Sequence, residues 1–455
     1  MDESIRQGLG ERTAAASGDW AESPSQPQVV AIVGYGTAGV NAAIALRGAG
    51  YEGAIRAFSD SGMPPYSPIL TSYYVGGEKS YGQCFPWSDD ALSELGVDVV
   101  EEGEVVRLDP EGHRIVTEQG GEHRFDKCLI SVGARPVTAG FPDGCGYEPL
   151  VLRTMDDAQR MKEAFEDPSC RRVLVSGASM IALKCVEAAL NRGLSVSLVG
   201  VNDHILDFSA LPETARRFER GLAAQGVAMR FGQSIAAVRV LEGSERHAVG
   251  ASEGGDAGNA AGKLEVTFSG GDVERFDEIV VAHGVRSDLG FIEGGSIRID
   301  KGIVVDGFMR ASAPDVFAAG DAAQALELVS GEPRVLGIWK TAALQGACAG
   351  KAMATELAGG APSAADAYQG ALMTNTIAVN GTLFISAGAA QPEEGDRVDV
   401  RELDGMTVAR IFRSGQDGDE RLVGFNVASD VDEPGGAAYD TAAMLTLRIE
   451  EACRG

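Results

Sequence analysis

Three short stretches of this sequence carry residue types whose spacing suits phosphate and polyol binding. The first is Gly34-Tyr35-Gly36-Thr37-Ala38-Gly39, a G-x-G-x-x-G turn. In such a turn the first glycine permits a tight bend and the second lets the backbone approach a pyrophosphate. The third lets the following helix pack closely on the preceding strand. Backbone N–H groups at the helix start attract the phosphates. Asp60 follows the next strand, where an acid holds the adenosine ribose hydroxyls. The second stretch, Gly177-Ala178-Ser179-Met180-Ile181-Ala182, keeps only the first glycine, although Ser179 and Ala182 are still small. The acid expected after its second strand is missing. Gly200 stands there, with Asn202, Asp203 and His204 nearby. This copy is either a working nucleotide site or a degenerate duplicate that binds nothing. The third stretch, Asp315-Val316-Phe317-Ala318-Ala319-Gly320-Asp321, ends a strand in Gly-Asp, and an acid placed there can hydrogen-bond a polyol.

The elements that position these turns follow from hydrophobic patterning. A buried strand over 29–33 precedes the first turn, a helix over 40–47 follows it, and a strand over 55–58 completes a βαβ unit. The pattern restarts with a strand over 172–176, a helix over 181–190 and a strand over 195–199. Two nucleotide-binding units are thus written as a weak internal duplication. Residues 243–262 are rich in Gly, Ala, Ser and Glu and read as a hairpin insertion or tolerated surface loop between strands at 238–241 and 264–268. A boundary falls at Gly359-Gly360-Ala361-Pro362, and strands over 408–412 and 422–427 and a helix over 441–452 lie beyond it. The expected fold class is α/β: two Rossmann-like, three-layer ββα nucleotide-binding domains and a small α+β C-terminal domain. The expected division is a disordered tail 1–27, a first nucleotide domain from 28–152 and 286–362, a second from 153–285, and a third domain over 363–455.

The bulk properties narrow the partners. A chain of 455 residues suggests about two to four domains. The formal net charge of −27 repels polyanions, so nucleic acid and anionic membranes are not expected partners. No long apolar run suggests a membrane span. Residues 1–27 are polar and do not resemble a signal peptide. The seven cysteines form no C-x-x-C pair, so no metal site is expected, and reduced thiols point to the cytoplasm.

Taken in order, these motifs resemble one family. Two dinucleotide turns flank Ile130-Ser131-Val132-Gly133-Ala134-Arg135-Pro136. Val281-Ala282-His283-Gly284-Val285-Arg286 follows the second turn, and the Gly-Asp strand comes last. Over residues 28–360 this order resembles the FAD-dependent pyridine nucleotide-disulfide oxidoreductase superfamily. The stretch Pro64-Pro65-Tyr66-Ser67-Pro68-Ile69-Leu70-Thr71 resembles its rubredoxin reductase and nitrite reductase NADH-domain branch. Leu422-Val423-Gly424-Phe425 resembles that branch's capping domain, which implies a capping or dimerisation role and a possible homodimer. The resemblance implies FAD contacts at Gly34, Gly36, Gly39, Asp60, Val105, Gly133, Gly320, Asp321 and Trp339. It implies NAD(P)H contacts at Gly177, Ser179, Ala182 and Gly284.

The departures bear on mechanism. Residues 36–50 contain no cysteine, so the C-x4-C redox pair of the disulfide members is missing. Residues 59–83 contain none either, and Cys84 reads as a packed or surface thiol. Electrons are therefore expected to leave from the flavin itself. Ser67 replaces the branch's Arg, Ser72 replaces its Lys, and Lys184 replaces the Glu that pairs with that Lys. Lys184 then reads either as a cation beside the reactive flavin nitrogen, favouring the anionic reduced flavin, or as a solvated helix lysine. His283 reads as a structural histidine.

The expected activity is FAD-dependent NAD(P)H oxidation, with electrons passed to a carrier protein, a partner subunit or a small organic acceptor. The alternative is an FAD-binding sensor or structural subunit without turnover. Nothing in the sequence separates NADH from NADPH, since no acid sits at Gly200, no arginine cluster follows, and His204 is a weak phosphate contact at best.

Overall fold

A computed structural model describes residues 28–241, 262–415 and 419–454. The tail 1–27 and nearly all of the 243–262 insertion lie outside the described residues. The strands flanking that insertion, Ile235–Val240 and Leu264–Phe268, pair antiparallel with Val240 opposite Leu264.

The first unit is built on a five-stranded parallel sheet. Its order is Val316–Ala318, Lys127–Ile130, Val29–Val33, Ala54–Phe58 and Val97–Val100. Val30, Ile32 and Ile130 are fully buried, as a parallel strand covered on both faces requires. One layer over it is the helix Thr37–Gly48, which lies against the long helix Trp339–Leu357. Small residues let the two backbones approach: a Cβ at Gly346 would lie 2.1 Å from the Ala38 carbonyl oxygen. A three-stranded antiparallel sheet, Val105–Asp109, Arg114–Thr117 and Glu122–Arg124, supplies the other layer.

The second unit repeats this plan. Its parallel sheet runs Ala228–Phe231, Ser195–Gly200, Arg172–Ser176 and Glu278–Val281. An antiparallel layer of Ile235–Val240, Leu264–Phe268 and Val273–Phe276 accompanies it. Arg135–Pro136 and Val285–Arg286 pair antiparallel and form the ribbon where the chain passes between the units.

The C-terminal region is a five-stranded antiparallel sheet with the helix Ala437–Arg454 packed on it. That helix extends beyond the expected 441–452, since Ala437 and Ala438 carry it back to the Gly435-Gly436 turn. The sheet is bolted to the second unit. Arg217, 8 % exposed, donates to Thr407 Oγ1 at 2.7 Å, lies 3.1 Å from Glu402 and pairs with Asp430. Asn426 Oδ1 accepts the Leu211 N–H at 2.6 Å, covering the start of the helix Pro212–Ala224. No described helix is long and apolar enough to cross a membrane.

Candidate functional site: two dinucleotide turns of unequal tightness

The first turn is tight because backbone presses on it from both sides. Gly34 has φ 94°, and its N–H donates to the Phe58 carbonyl at 2.9 Å. A Cβ there would lie 2.4 Å from the Ser131 carbonyl oxygen, so no other residue fits. The Ser131 hydroxyl donates back to the Gly34 carbonyl at 2.7 Å. A Cβ at Gly39 would lie 2.5 Å from that same carbonyl oxygen. Gly36 differs from both: it is exposed, and a Cβ there would have nothing within 4 Å. The opening at Gly36 faces the start of the helix Thr37–Gly48, which has no side-chain cap. Thr37 Oγ1 is buried there without a hydrogen-bond partner. An open backbone cradle, uncapped helix N–H groups and an orphaned hydroxyl together fit a pyrophosphate.

Asp60 lies two residues past the strand Ala54–Phe58, with its side chain 56 % exposed. Arg135 approaches it at 4.0 Å and pairs with Glu104 at 2.5 Å. Val105 opens the neighbouring strand Val105–Asp109 and is half-buried. Asp60, Glu104, Val105 and Arg135 thus share one end of the cradle.

The Gly-Asp strand end forms the other part. The Gly320 N–H donates to Gln345 Oε1 at 2.8 Å. Asp321 Oδ2 accepts from Arg153 at 2.7 Å. The Ser287 hydroxyl lies 2.8 Å from both the Gly133 and the Asp321 carbonyl oxygens. A Cβ on Gly133 would be 3.2 Å from the Arg153 guanidinium. Gly133, Arg153, Ser287 and Asp321 therefore converge from four separate segments. Burial pushes the Tyr66 phenol pKa up while the nearby Arg153 draws it down, which puts the 64–71 loop beside the same cation. Trp339 begins the helix Trp339–Leu357, and its buried Nε1 has no partner. Arg153, Ser287 and Gln345 lie in no motif, and sequence reasoning missed them; Ser131 and Arg135 lie in the 130–136 stretch, which assigned them no contact. The signal for Arg153 was its place just before the Thr154–Asp157 capping box, in the segment that enters the second unit.

The second turn repeats the geometry with more room. The Gly177 N–H donates to the Val199 carbonyl at 2.8 Å, matching Gly34 to Phe58. Gly177 has φ 124°, and a Cβ there would lie 2.4 Å from the Ala282 carbonyl oxygen. Here Ala182 carries the Cβ that Gly39 cannot, and is fully buried. Ser179 caps the helix Met180–Asn191, its Oγ accepting the Ala182 N–H at 3.3 Å. The Gly284 carbonyl accepts the Val137 N–H at 2.9 Å, placing Gly284 on the inter-unit ribbon. His283 is held at both nitrogens, 3.0 Å from the Ala139 carbonyl and 2.8 Å from Ser176 Oγ. A carbonyl only accepts, so Nδ1 carries the proton and Nε2 accepts from Ser176. Its role is structural, as expected.

Lys184 sits on the helix Met180–Asn191 where that helix meets the C-terminal region. Its ammonium pairs with Glu187 one turn along the helix, lies 3.5 Å from the Ala378 carbonyl and sits 4.0 Å from the Tyr73 ring centre. Its charge is met by a carboxylate one turn along the same helix. A lysine half-sheltered under the C-terminal sheet is cheaper to hold with a carboxylate than alone. Glu187, 8 % exposed, also accepts the Asn380 N–H at 3.2 Å. The pair ties the second-unit helix to the C-terminal region.

Cys84 is fully buried, with Sγ 3.7 Å from the Leu70 carbonyl, and burial raises its pKa. It is a packed thiol held protonated and not a reactive thiolate.

The paired ββα units, one with a flavin-type cradle and one with a looser turn, define an oxidoreductase that uses FAD and a pyridine nucleotide. The chain belongs to the pyridine nucleotide-disulphide oxidoreductase family, whose model matches residues 28–346. It is 28 % identical over 328 residues to the 3-phenylpropionate/cinnamic acid dioxygenase ferredoxin–NAD(+) reductase component of Photorhabdus laumondii subsp. laumondii, covering 72 % of this chain and 77 % of the relative. It is 27 % identical over 385 residues to the NADH-dependent phenylglyoxylate dehydrogenase subunit epsilon of Aromatoleum evansii, covering 84 % of each. Its fold matches that of the covalent putidaredoxin reductase–putidaredoxin complex with a TM-score of 0.74 at 20 % identity, covering 93 % of this chain and 94 % of that one.

Proposed function

We propose that this enzyme takes hydride from NAD(P)H and passes the electrons to a protein-borne one-electron acceptor, either a free carrier or a partner subunit. FAD, when bound, supplies the conversion of a two-electron donor into single electrons. The chain's own residues hold and orient. Gly34, Gly36, Thr37 and Gly39 take the pyrophosphate, Asp60 and Val105 the adenosine end, and Gly133, Gly320, Asp321 and Trp339 the ribityl and ring end. Gly177, Ser179, Ala182 and Gly284 receive the nicotinamide nucleotide. Arg153 balances the Asp321 carboxylate at the junction of the two sites.

The observation that carries the choice of acceptor is the state of the thiols. The helix Thr37–Gly48 has no cysteine, and Cys84 is buried and protonated. That helix therefore offers no dithiol to relay electrons. The relatives matched over most of their length include a ferredoxin reductase component and a subunit of a larger dehydrogenase, which supports a protein acceptor.

The test is anaerobic. NADH or NADPH should bleach the flavin band within seconds, and an oxidised ferredoxin or rubredoxin should restore it faster than a quinone does. A band that never bleaches with either nucleotide would support the non-catalytic alternative. We further propose a cytoplasmic enzyme, in keeping with the buried, unbridged thiols of Cys84, Cys128, Cys170, Cys185 and Cys348, and a homodimer through the C-terminal helix, where Met444 and Leu447 are 48 % and 59 % exposed.

A further inference from the structure

We infer that the second turn does not discriminate NADH from NADPH by charge and grips the adenosine end through exposed apolar side chains. This rests on the proposed hydride reaction and concerns its nucleotide site. The matching hydrogen bonds set the register between the units: Gly34 to Phe58 in the first, Gly177 to Val199 in the second. The two positions after Phe58 are Ser59 and Asp60. The two positions after Val199 are Gly200 and Val201. The structural counterpart of the ribose-binding acid is therefore Val201, 71 % exposed, and the position before it has no side chain.

The rest of the loop sharpens this. Residues 200–211 contain no lysine or arginine that could hold a 2′-phosphate. Asp203 and Asp207, its carboxylates, come later along the loop than the ribose register. His204 is turned to Glu219, with Nδ1 3.0 Å from Oε1. The same carboxylate oxygen accepts the Ile205 N–H at 3.1 Å. The Leu206 N–H donates to the Ala178 carbonyl at 2.8 Å, folding the loop back onto the dinucleotide turn. A loop pinned at these points nevertheless displays both Val201 and Phe208, the latter at 83 % exposure. Large apolar groups held outward by a fixed backbone suit the flat faces of adenine, which NADH and NADPH share. An acid at the ribose would favour NADH, and an arginine would favour NADPH. Neither stands here.

The experiment uses the FAD-loaded enzyme. Affinities for NAD+ and NADP+ are measured by calorimetry, and flavin reduction by NADH and NADPH by stopped flow. Both comparisons should agree within about tenfold. Phe208→Ser should weaken both nucleotides by a similar factor of about ten while the flavin-to-protein ratio stays unchanged. Val201→Arg should shift preference to NADPH and Gly200→Asp to NADH. A Cβ at Gly200 would lie 3.2 Å from that of Ala178, which a small loop shift absorbs. A wild-type preference above about a hundredfold, or an unchanged Phe208→Ser enzyme, would overturn the inference while leaving hydride transfer standing. Failure of both nucleotides to bind and to bleach the flavin would instead overturn the proposed reaction itself.

Discussion

The two dinucleotide turns share a register and differ in tolerance. In the first, a Cβ at position 39 would press to 2.5 Å on the Gly34 carbonyl oxygen; in the second, Ala182 carries that Cβ and buries it completely. The first ends in Asp60, the second in Val201. Backbone presses equally on both first glycines, Ser131 on Gly34 and Ala282 on Gly177, and in the first turn a serine hydroxyl also returns to the Gly34 carbonyl. A tight turn with an acid suits a cofactor that stays; a wider turn without one suits a nucleotide that must leave after each turnover. Residence is set by how closely the backbone can approach phosphate, and that approach is set by where Cβ atoms are forbidden.

The comparison is most sharply broken at its third glycine. Gly39→Ala should cut the flavin-to-protein absorbance ratio of the purified enzyme by about tenfold, since the overlap is with backbone that cannot move aside. Ala182→Gly should leave that ratio unchanged and cost only about 1 kcal/mol of helix stability. Equal flavin content in the two variants would end the distinction. Arg153→Ala should weaken FAD binding by about 10- to 100-fold, read as flavin released on dilution, because it strips the cation from Asp321. Arg153→Lys should recover part of that loss. An increase in affinity would show that the arginine competes for the cradle.

Arg217→Ala tests whether the second unit leans on the C-terminal sheet. It should cost about 2 kcal/mol of stability in denaturant titration with FAD content intact, since Glu402 and Asp430 are half exposed and recover water. Lys184→Met should cost about 1 kcal/mol and leave the flavin reduction rate within about twofold. A large change in that rate would return Lys184 to the flavin.

The last effect is alkaline. Burial pushes the Cys170 and Cys185 thiols up to about 12, against about 9 for an unburied thiol. The unfolded chain loses these protons first, so stability is full below pH 9 and falls as pH rises toward 12. The melting temperature in reductant should drop by a few degrees between about pH 9 and 11. Cys185→Ala should flatten that drop.

Much of the fold was legible because it is local. Apolar runs at 29–33 and 172–176 bounded by glycine turns marked the strands, and alternation at 408–412 and 422–427 marked the C-terminal sheet. The strand and helix ends extended by one to a few residues, where packing prolongs what periodicity starts. Candidate site residues carried by motifs, from Gly34 to Asp321, were legible; neighbours brought in by crossover connections were not. Arg153 meets Asp321 across 168 positions, and Ser287 meets Gly133 across 154. No short-range pattern encodes such a meeting. Lys184 was read from its replacement of a glutamate, and the pairing that neutralises it, with Glu187, was open to i,i+3 spacing but overlooked.

The sequence by itself determined that two nucleotide units exist, that one is intact and one eroded, and that the helix after the first turn carries no cysteine pair. Those properties reside in residue type and near-neighbour spacing. Only the tertiary structure decided which residues share each cradle and that Val201, not Gly200, stands where Asp60 stands. Register between strands and proximity between distant segments arise from packing the sheets and helices together, and no local stretch of chain contains them.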